Sequence, residues 1–248
     1  QDEGYLVVFE LWRRLLPHVS CISVFCDEVD YQIFLYDQGQ VKFQELQDAL
    51  ANLQDILEDN ADEGGTPSEI FSFVSSHCAN NLESFLFDYI SDLLSGQDTV
   101  HASELCDGFY DYVDDKKWFD LLKAKSLEAQ DPESTHRMIF ELIEDSKLSE
   151  DKDFLLEVLY LLTQSSNQEL FVLTLKKIMP QIIVEEEFRD ILESCQEFFQ
   201  FSDLEESEQL VCKILKKRDK LDLEKDINPQ DSDLKELIDI VQRPYSLS

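Results

Sequence analysis

Apolar residues recur along this chain at helical spacing, in long segments separated by short polar turns. Residues 43–57, 82–94 and 188–199 each carry an apolar stripe on one face, with amides and carboxylates opposite. Residues 154–162 are apolar nearly all round, as expected for a helix packed on several sides. A final amphipathic segment covers residues 232–242. The pattern therefore predicts an all-α protein.

Helix-start signals recur at a nearly constant interval in the second half of the chain. Most combine a capping side chain with a carboxylate in the first turn, where free amides and the helix dipole favour both. The starts fall near Asp131, Ser149, Ser166, Val184 and Ser202, at steps of 18, 17, 18 and 18 residues. One helix and one turn per step predicts about twelve helices in stacked antiparallel hairpins, as in a HEAT-like or TPR-like α-solenoid. An elongated helical bundle is the alternative.

The amino-terminal region is less regular. Residues 5–16 are predicted to form a first helix, because a proline follows an amphipathic segment there. The next stretch is β-branched and aromatic enough for strands, and Asp37-Gln38-Gly39 suits a hairpin turn. We prefer a helix over residues 27–36, with a short β-hairpin near residues 20–43 as the alternative.

Turn signals divide the chain into three predicted segments. Residues 1–65 form an N-terminal helical segment that ends in an acidic loop with two glycines. Residues 66–218 hold the helical-hairpin array. A polar stretch and Asn228-Pro229 follow, so residues 219–248 are predicted to be a linker plus a C-terminal helix.

Charge narrows the class of partner. The formal net charge is −33, from 54 acidic and 21 basic side chains, although 43% hydrophobic residues are enough for a folded core. Residues 1–124 hold 25 acidic and 6 basic residues (net −19), and residues 125–248 hold 29 and 15 (net −14). Such a field repels nucleic acid and anionic membranes and attracts basic proteins. We therefore expect neither direct nucleic-acid binding nor membrane insertion.

The cysteines and the hydropathy pattern bear on the cellular compartment. Six cysteines are spread thinly among apolar neighbours, which is typical of reduced core thiols rather than of a disulfide framework. No uncharged apolar run approaches the about 18 residues of a membrane span. We expect a soluble, intracellular protein, either cytoplasmic or nuclear.

Two segments resemble the end of an EF-hand calcium loop and the helix after it. Residues 39–46 and 98–105 carry an aliphatic residue and a glutamate at the expected spacing. The positions of the first three calcium ligands carry Phe34, Tyr36 and Gln38 in the first segment and equally unsuitable side chains in the second. Ordinary turn-helix junctions explain the same residues, and a degenerate EF-hand-like or metal-binding helical protein is kept as an alternative.

Other candidate chemistry is incomplete. His18, Cys21 and Cys26 have the residue types of a zinc site, but the apolar residues between them favour core packing. Glu133 and His136 match the Glu-x-x-His element of di-iron bundles, which requires a second copy that the sequence lacks. No nucleophile elbow, phosphate loop or dinucleotide fingerprint occurs. We predict no catalytic residues, no cofactor and no enzyme activity.

Acidic first turns give the binding hypothesis. If the hairpins stack in register, carboxylates at successive helix starts line one edge, which we name the acidic ledge; the alternative is that they only stabilise helix starts. We predict a non-enzymatic interaction module, such as an adaptor, an escort chaperone or an assembly or regulatory subunit, that binds a basic protein or peptide. A regulatory subunit that docks through an apolar terminal helix is the second hypothesis. The predicted partner-binding residues are Glu133, Glu150, Asp151, Glu185, Glu186, Glu187, Glu205 and Glu206.

Overall fold

A computed structural model describes residues 11, 14, 15, 22–165 and 167–243. Within these ranges it has twelve α-helices, two short 3-10 helices and no β-strand, which confirms the all-α prediction. The predicted helix over residues 5–16 lies mostly outside the described residues. None of the described helices is long and apolar enough to cross a membrane.

The chain divides into two compact units, residues 1–122 and residues 123–248, called unit 1 and unit 2 below. In unit 1, α1 pairs with α2 and α4 pairs with α5, each as neighbours joined by a short turn. The three segments predicted from the turn signals, residues 1–65, 66–218 and 219–248, stay a prediction. The helices that begin in unit 1 are α1 (Ile22–Asp37), α2 (Phe43–Asp62), α3 (Pro67–Ser75), α4 (Leu82–Ser95), α5 (Thr99–Phe109) and α6 (Lys116–Leu127).

The β-hairpin alternative is wrong for the described part of residues 20–43, where the chain forms helix α1 instead. Phe25, Val29 and Ile33 recur at helical spacing and are all buried, so burial of one face decides against the β propensity of the segment. The helix ends at Asp37, and Gly39 in the turn that follows has a φ of +64°, which suits glycine. The amide of Gln40 then donates to the carbonyl of Leu35 at 2.8 Å.

The core of unit 1 follows the predicted stripes. All seven apolar residues of the stripe on α4 are buried, and the four leucines of α2 are at most 1% exposed. Full burial of a leucine or phenylalanine contributes roughly 1.5–3 kcal/mol each. The two stripes therefore supply much of the driving force for folding of unit 1.

Unit 2 holds the helices with the regular starts. They begin at residues 132, 152, 168, 185 and 205, at steps of 20, 16, 17 and 20, so the interval is less constant than predicted. Three pairs of successive helices pack together here, namely those that begin at residues 152 and 168, at 185 and 205, and at 205 and 232. A continuous solenoid order stays a prediction. The helices are α7 (Pro132–Glu144), α8 (Lys152–Leu162), α9 (Gln168–Ile178), α10 (Glu185–Phe201), α11 (Glu205–Arg218) and α12 (Ser232–Val241).

Three predicted starts are displaced. Ser149 lies in a 3-10 helix, and Asp151 caps α8 instead by accepting from the amide of Phe154 at 3.1 Å. Asn167 caps α9 by accepting from the amide of Leu170 at 3.0 Å, while Ser166 lies outside the described residues. Ser202 does not begin a helix but ends α10, because Asp203 adopts a φ of +55° and turns the chain. Helix α11 therefore begins two residues later, without a polar cap.

Candidate functional site

Unit 1 contains an unusually one-sided charge distribution. Between Arg14 and Lys116 the sequence has a single lysine or arginine, Lys42, against 21 aspartates and glutamates. A low-dielectric surface with one sign of charge focuses its field on concave regions. A binding site for a positively charged partner is therefore expected in a groove of unit 1.

A groove of about 340 Å³ runs along the α1–α2 hairpin. Its floor is apolar and its rim carries three exposed carboxylates. We call it the acidic groove. It is lined by Val24, Phe25, Glu28, Glu45, Asp48, Ala49 and Asn52.

Helical periodicity builds this groove. On α2, Glu45, Asp48 and Asn52 are three or four residues apart, so their side chains lie above one another on one face. On α1, Val24 and Glu28 are spaced by four and share the facing side. The tight turn at Gly39 brings the two faces together.

The rim already holds one cation of the chain itself. Lys42 Nζ lies 2.5 Å from Glu45 Oε1, with 76% of the lysine side chain exposed. The hydrogen bond and charge attraction of Glu45 raise the pKa of Lys42, with a smaller contribution from the nearby Tyr31 hydroxyl. Such an exposed pair contributes little to stability. The ammonium group of a partner can therefore displace Lys42 from Glu45 with little loss of folding stability.

Exposed aromatic residues adjoin the acidic groove. Tyr31 lies one turn beyond Glu28 on α1, and 57% of its surface is exposed. Phe34 and Phe43 are 56% and 48% exposed, at the end of the hairpin where the chain turns. Large aromatic groups left in water beside a charged groove are typical of interaction surfaces.

Two other cavities differ in chemistry. A cleft of about 200 Å³ in unit 1 is mainly apolar, lined by isoleucines of α2 and α3 with Phe73 and Val74. A larger groove of about 660 Å³ in unit 2, between α10 and α11, mixes Arg189 and Lys216 with carboxylates and amides. Of these cavities, the acidic groove has the most carboxylates without a cation in its lining, three against the single Glu69 of the apolar cleft.

Three of the predicted ledge residues are occupied within the fold. Glu185 is 1% exposed and binds Arg218, so it presents no carboxylate at the surface. Glu187 binds Lys152 and also accepts from the amide of Ile183 at 2.8 Å. Asp151 caps α8.

The other five ledge residues are exposed, but they do not share one edge. Glu150 and Glu186 lie near the starts of α8 and α10, which the ion pair between these helices brings together. Glu205 and Glu206 begin α11, beyond the far end of α10, which at 1.5 Å per residue lies roughly 25 Å away. Glu133 lies in the first turn of α7. Partner binding by these residues stays a prediction.

Arg218 is the centre of a buried ionic cluster in unit 2. Its Nε and Nη2 atoms donate to the two oxygens of Glu185 at 2.8 and 2.5 Å. Its Nη1 donates to Asp233 at 2.9 Å and Asp231 at 3.1 Å, and the guanidinium lies 4.9 Å from the ring centre of Phe188. The bond to Glu185 is the largest reason that the pKa of Arg218 is raised. The cluster holds α12 against the end of α11.

The segment between α11 and α12 is not a free linker. The amide of Glu185 donates to the carbonyl of Lys225 at 2.9 Å. The amide of Glu186 donates to the carbonyl of Leu223 at 3.0 Å. We call residues 219–231 the strap. Its carbonyls satisfy first-turn amides that a polar cap would otherwise serve, which explains the valine at position 184.

The charge on Asp233 makes the stability of the fold depend on pH. Burial alone raises the pKa of this carboxyl, but the hydrogen bonds from Lys217 and Arg218 outweigh it, and the pKa lies below its ordinary value. A lowered folded-state pKa stabilises the fold above the unfolded pKa near 4, and this stability is lost as the pH falls through the folded pKa. The difference in melting temperature between the native chain and Asp233→Asn should therefore be largest at about pH 6 and should shrink below about pH 4. Thermal unfolding followed by circular dichroism measures it, and an equal difference at about pH 3 and pH 6 would contradict it.

In the described ranges, the structure brings no further ligands to the segments that resemble metal sites. Among the described residues, no group of three or more histidines, cysteines and acids is placed to hold a metal ion. Gly39 lies in the turn after α1 and Asp98 caps α5, as in ordinary turn-helix junctions. His18 and Cys21 lie outside the described residues. Metal binding stays untested.

The comparisons with known proteins give no relatives. No protein-family model, no curated protein and no solved structure matches this chain.

Proposed function

We propose that the protein is a non-enzymatic interaction module that binds a basic peptide or protein segment in the acidic groove of unit 1. The observation that carries this proposal is the pairing of three exposed carboxylates with an apolar floor, in a region of the chain with one basic residue. The class of partner is the one predicted from the sequence. The proposed site, however, is the acidic groove of unit 1 and not the acidic ledge, whose residues belong to unit 2.

The groove suits a lysine or arginine side chain. The apolar stem of such a side chain can pack on Val24 and Ala49, while its charged head reaches Glu28, Glu45 or Asp48. Charge attraction would speed and orient the encounter, and contact with apolar surface would add affinity. Tyr31 supplies an exposed aromatic anchor at one end.

The groove is favoured over the other candidate surfaces because its carboxylates are available. In unit 2, Glu185 and Glu187 are held by Arg218 and Lys152. Four of the five apolar residues of α12 are buried within unit 2, so most of its apolar face is already covered. Docking through an apolar terminal helix therefore finds no support at α12.

A defined peptide tests the proposal. The probe is an amidated, fluorescently labelled helical peptide of lysines and leucines in equal number, with octalysine as the comparison. We expect binding of both to weaken as salt rises from about 0.05 to 0.5 M, because exposed charges are screened within a few ångströms at high salt. The lysine-leucine peptide should keep more of its affinity, since its leucines contact apolar surface. Salt-independent binding would contradict an electrostatic site.

Two triple variants locate the site, and each removes three negative charges. Glu28→Gln/Glu45→Gln/Asp48→Asn changes the groove, and Glu133→Gln/Glu186→Gln/Glu206→Gln is the matched control on the acidic ledge. At up to 1 kcal/mol for each exposed charge pair, the groove variant should weaken peptide binding roughly tenfold and the control less than about threefold. Fluorescence anisotropy at low salt measures both. If the control variant has the larger effect, the ledge is the binding surface and the groove assignment is wrong.

A further inference from the structure

Two cysteines from distant parts of the sequence meet beneath α1. Cys26 Sγ lies 3.8 Å from the carbonyl oxygen of Val74, and Cys78 Sγ lies 3.7 Å from the same oxygen. The two thiols are also within hydrogen-bond reach of each other. One cysteine belongs to a helix and the other to the turn after α3.

A carboxylate on α1 fixes the turn that carries Cys78. Asp30 lies one helical turn after Cys26, and it accepts from the amides of Ala79 and Asn80 at 2.7 and 3.0 Å. The side-chain amide of Asn80 adds a third bond to Asp30 at 2.7 Å. Because the turn is tied to α1 beside both sulfurs, the thiols are held as neighbours without a covalent bond. Formation of an S–S bond then requires side-chain rotation and little movement of the backbone.

We propose that Cys26 and Cys78 are a disulfide-forming pair, oxidised by a small-molecule disulfide such as oxidised glutathione. The Cys78 thiolate attacks one glutathione sulfur, the glutathione S–S bond breaks, and a mixed disulfide forms with release of one glutathione thiolate. The Cys26 thiolate then attacks Cys78 Sγ, which forms the intramolecular bond and releases the second glutathione. The protein loses two hydrogens, and the two glutathione thiolates take up the two protons.

Accessibility sets the order of the two steps. Cys78 is half-buried, whereas Cys26 is 1% exposed, so a small reagent reaches Cys78 first. Burial raises the pKa of both thiols, and the carboxylates of Asp27 and Asp30 on α1 add to the effect at Cys26. Because little thiolate is present at neutral pH, the pair exchanges slowly. Cys106, by contrast, donates to the carbonyl of Phe119 at 3.5 Å, and Cys195 is fully buried.

The experiment treats the full-length chain with about 5 mM oxidised glutathione at roughly pH 8.5, where more thiolate forms. We expect loss of two thiols per chain, a peptide linking Cys26 to Cys78 in a non-reduced digest, and a melting temperature raised by roughly 5 to 15 °C. Dithiothreitol should reverse all three. The rise in melting temperature follows from closing a loop of roughly 50 residues in the unfolded chain.

Single variants separate this pair from other thiols. Cys78→Ser and Cys26→Ser should each abolish the cross-link and the thermal shift, whereas Cys212→Ser, which changes another half-buried thiol, should keep both. Glutathione retained on Cys78, or a cross-link to any other cysteine, would overturn the proposal. The digest of the native chain decides the question even if a serine variant does not fold.

Discussion

Arg218→Met is expected to lower the free energy of unfolding of unit 2 by about 3 to 5 kcal/mol, the range for removing one partner of a buried ion pair. Arg218 is the cation shared by three carboxylates, of which Glu185 is 1% exposed and Asp233 is 2% exposed. Without the guanidinium, the ionic neighbour left to Glu185 among the described residues is Arg189, whose Nε lies 3.6 Å away. A buried carboxylate with so little compensation destabilises the folded state.

Lys216→Met is the matched control, because it also replaces a cationic residue with methionine, but at an exposed position of the same helix. It should change stability by less than about 1 kcal/mol. Urea unfolding followed by circular dichroism measures both variants, and hydrogen exchange in peptides of α10 and α12 locates the loss. Combining Arg218→Met with Glu185→Leu should recover much of the stability, because an apolar pair replaces an ionic one. Equal effects of Arg218→Met and Lys216→Met would contradict the assigned role of the cluster.

Phe198→Ala is expected to cost about 3 to 5 kcal/mol of stability in unit 2. The ring stacks on Phe171 with centroids 4.0 Å apart and planes within 9°, and both side chains are at most 1% exposed. Phe198 also contacts the neighbouring Phe199 edge-on, with centroids 5.8 Å apart. Truncation removes the transfer free energy of the ring and leaves a cavity that rigid aromatic neighbours fill poorly.

The control for this prediction is Phe201→Ala on the same helix, where 55% of the side chain is exposed. Its effect should stay within about 1 kcal/mol. Phe198→Ala should lower the melting temperature of unit 2 by roughly 10 to 20 °C. A similar fall in both variants would show that the α9–α10 contact is not the centre of the core of unit 2.

The helices were predictable because their cause is local. The stripes on α2 and α4 follow from a period of 3.6 residues, and the structure buries the residues that this period selects, except Phe43 at the start of α2. Asp131 could be identified as a cap from its neighbours alone, and it accepts from the amide of Ser134 at 3.1 Å. Ser202 was misassigned because the turn at Asp203 depends on a left-handed backbone that aspartate seldom adopts.

The candidate site was less accessible to sequence reasoning. Glu185 has the pattern of a first-turn carboxylate, but its burial results from Arg218, 33 residues later, and no local pattern records that pairing. The acidic groove requires α1 to be a helix packed on α2, and the sequence left that segment open between helix and strand. The one available signal was the absence of basic residues other than Lys42 between Arg14 and Lys116.

The strap has a consequence for the order in which the chain is completed. The first turn of α10 bonds to carbonyls about 40 residues further along, so its amides stay solvated until those residues have been synthesised. A nascent chain that has reached only Arg218 contains every residue of α10 and α11, yet it lacks the strap carbonyls that close the start of α10 and two of the three carboxylates that bind the guanidinium, Asp231 and Asp233. Completion of unit 2 therefore waits for synthesis of the strap and of the start of α12, and a protease that cuts the strap would undo it.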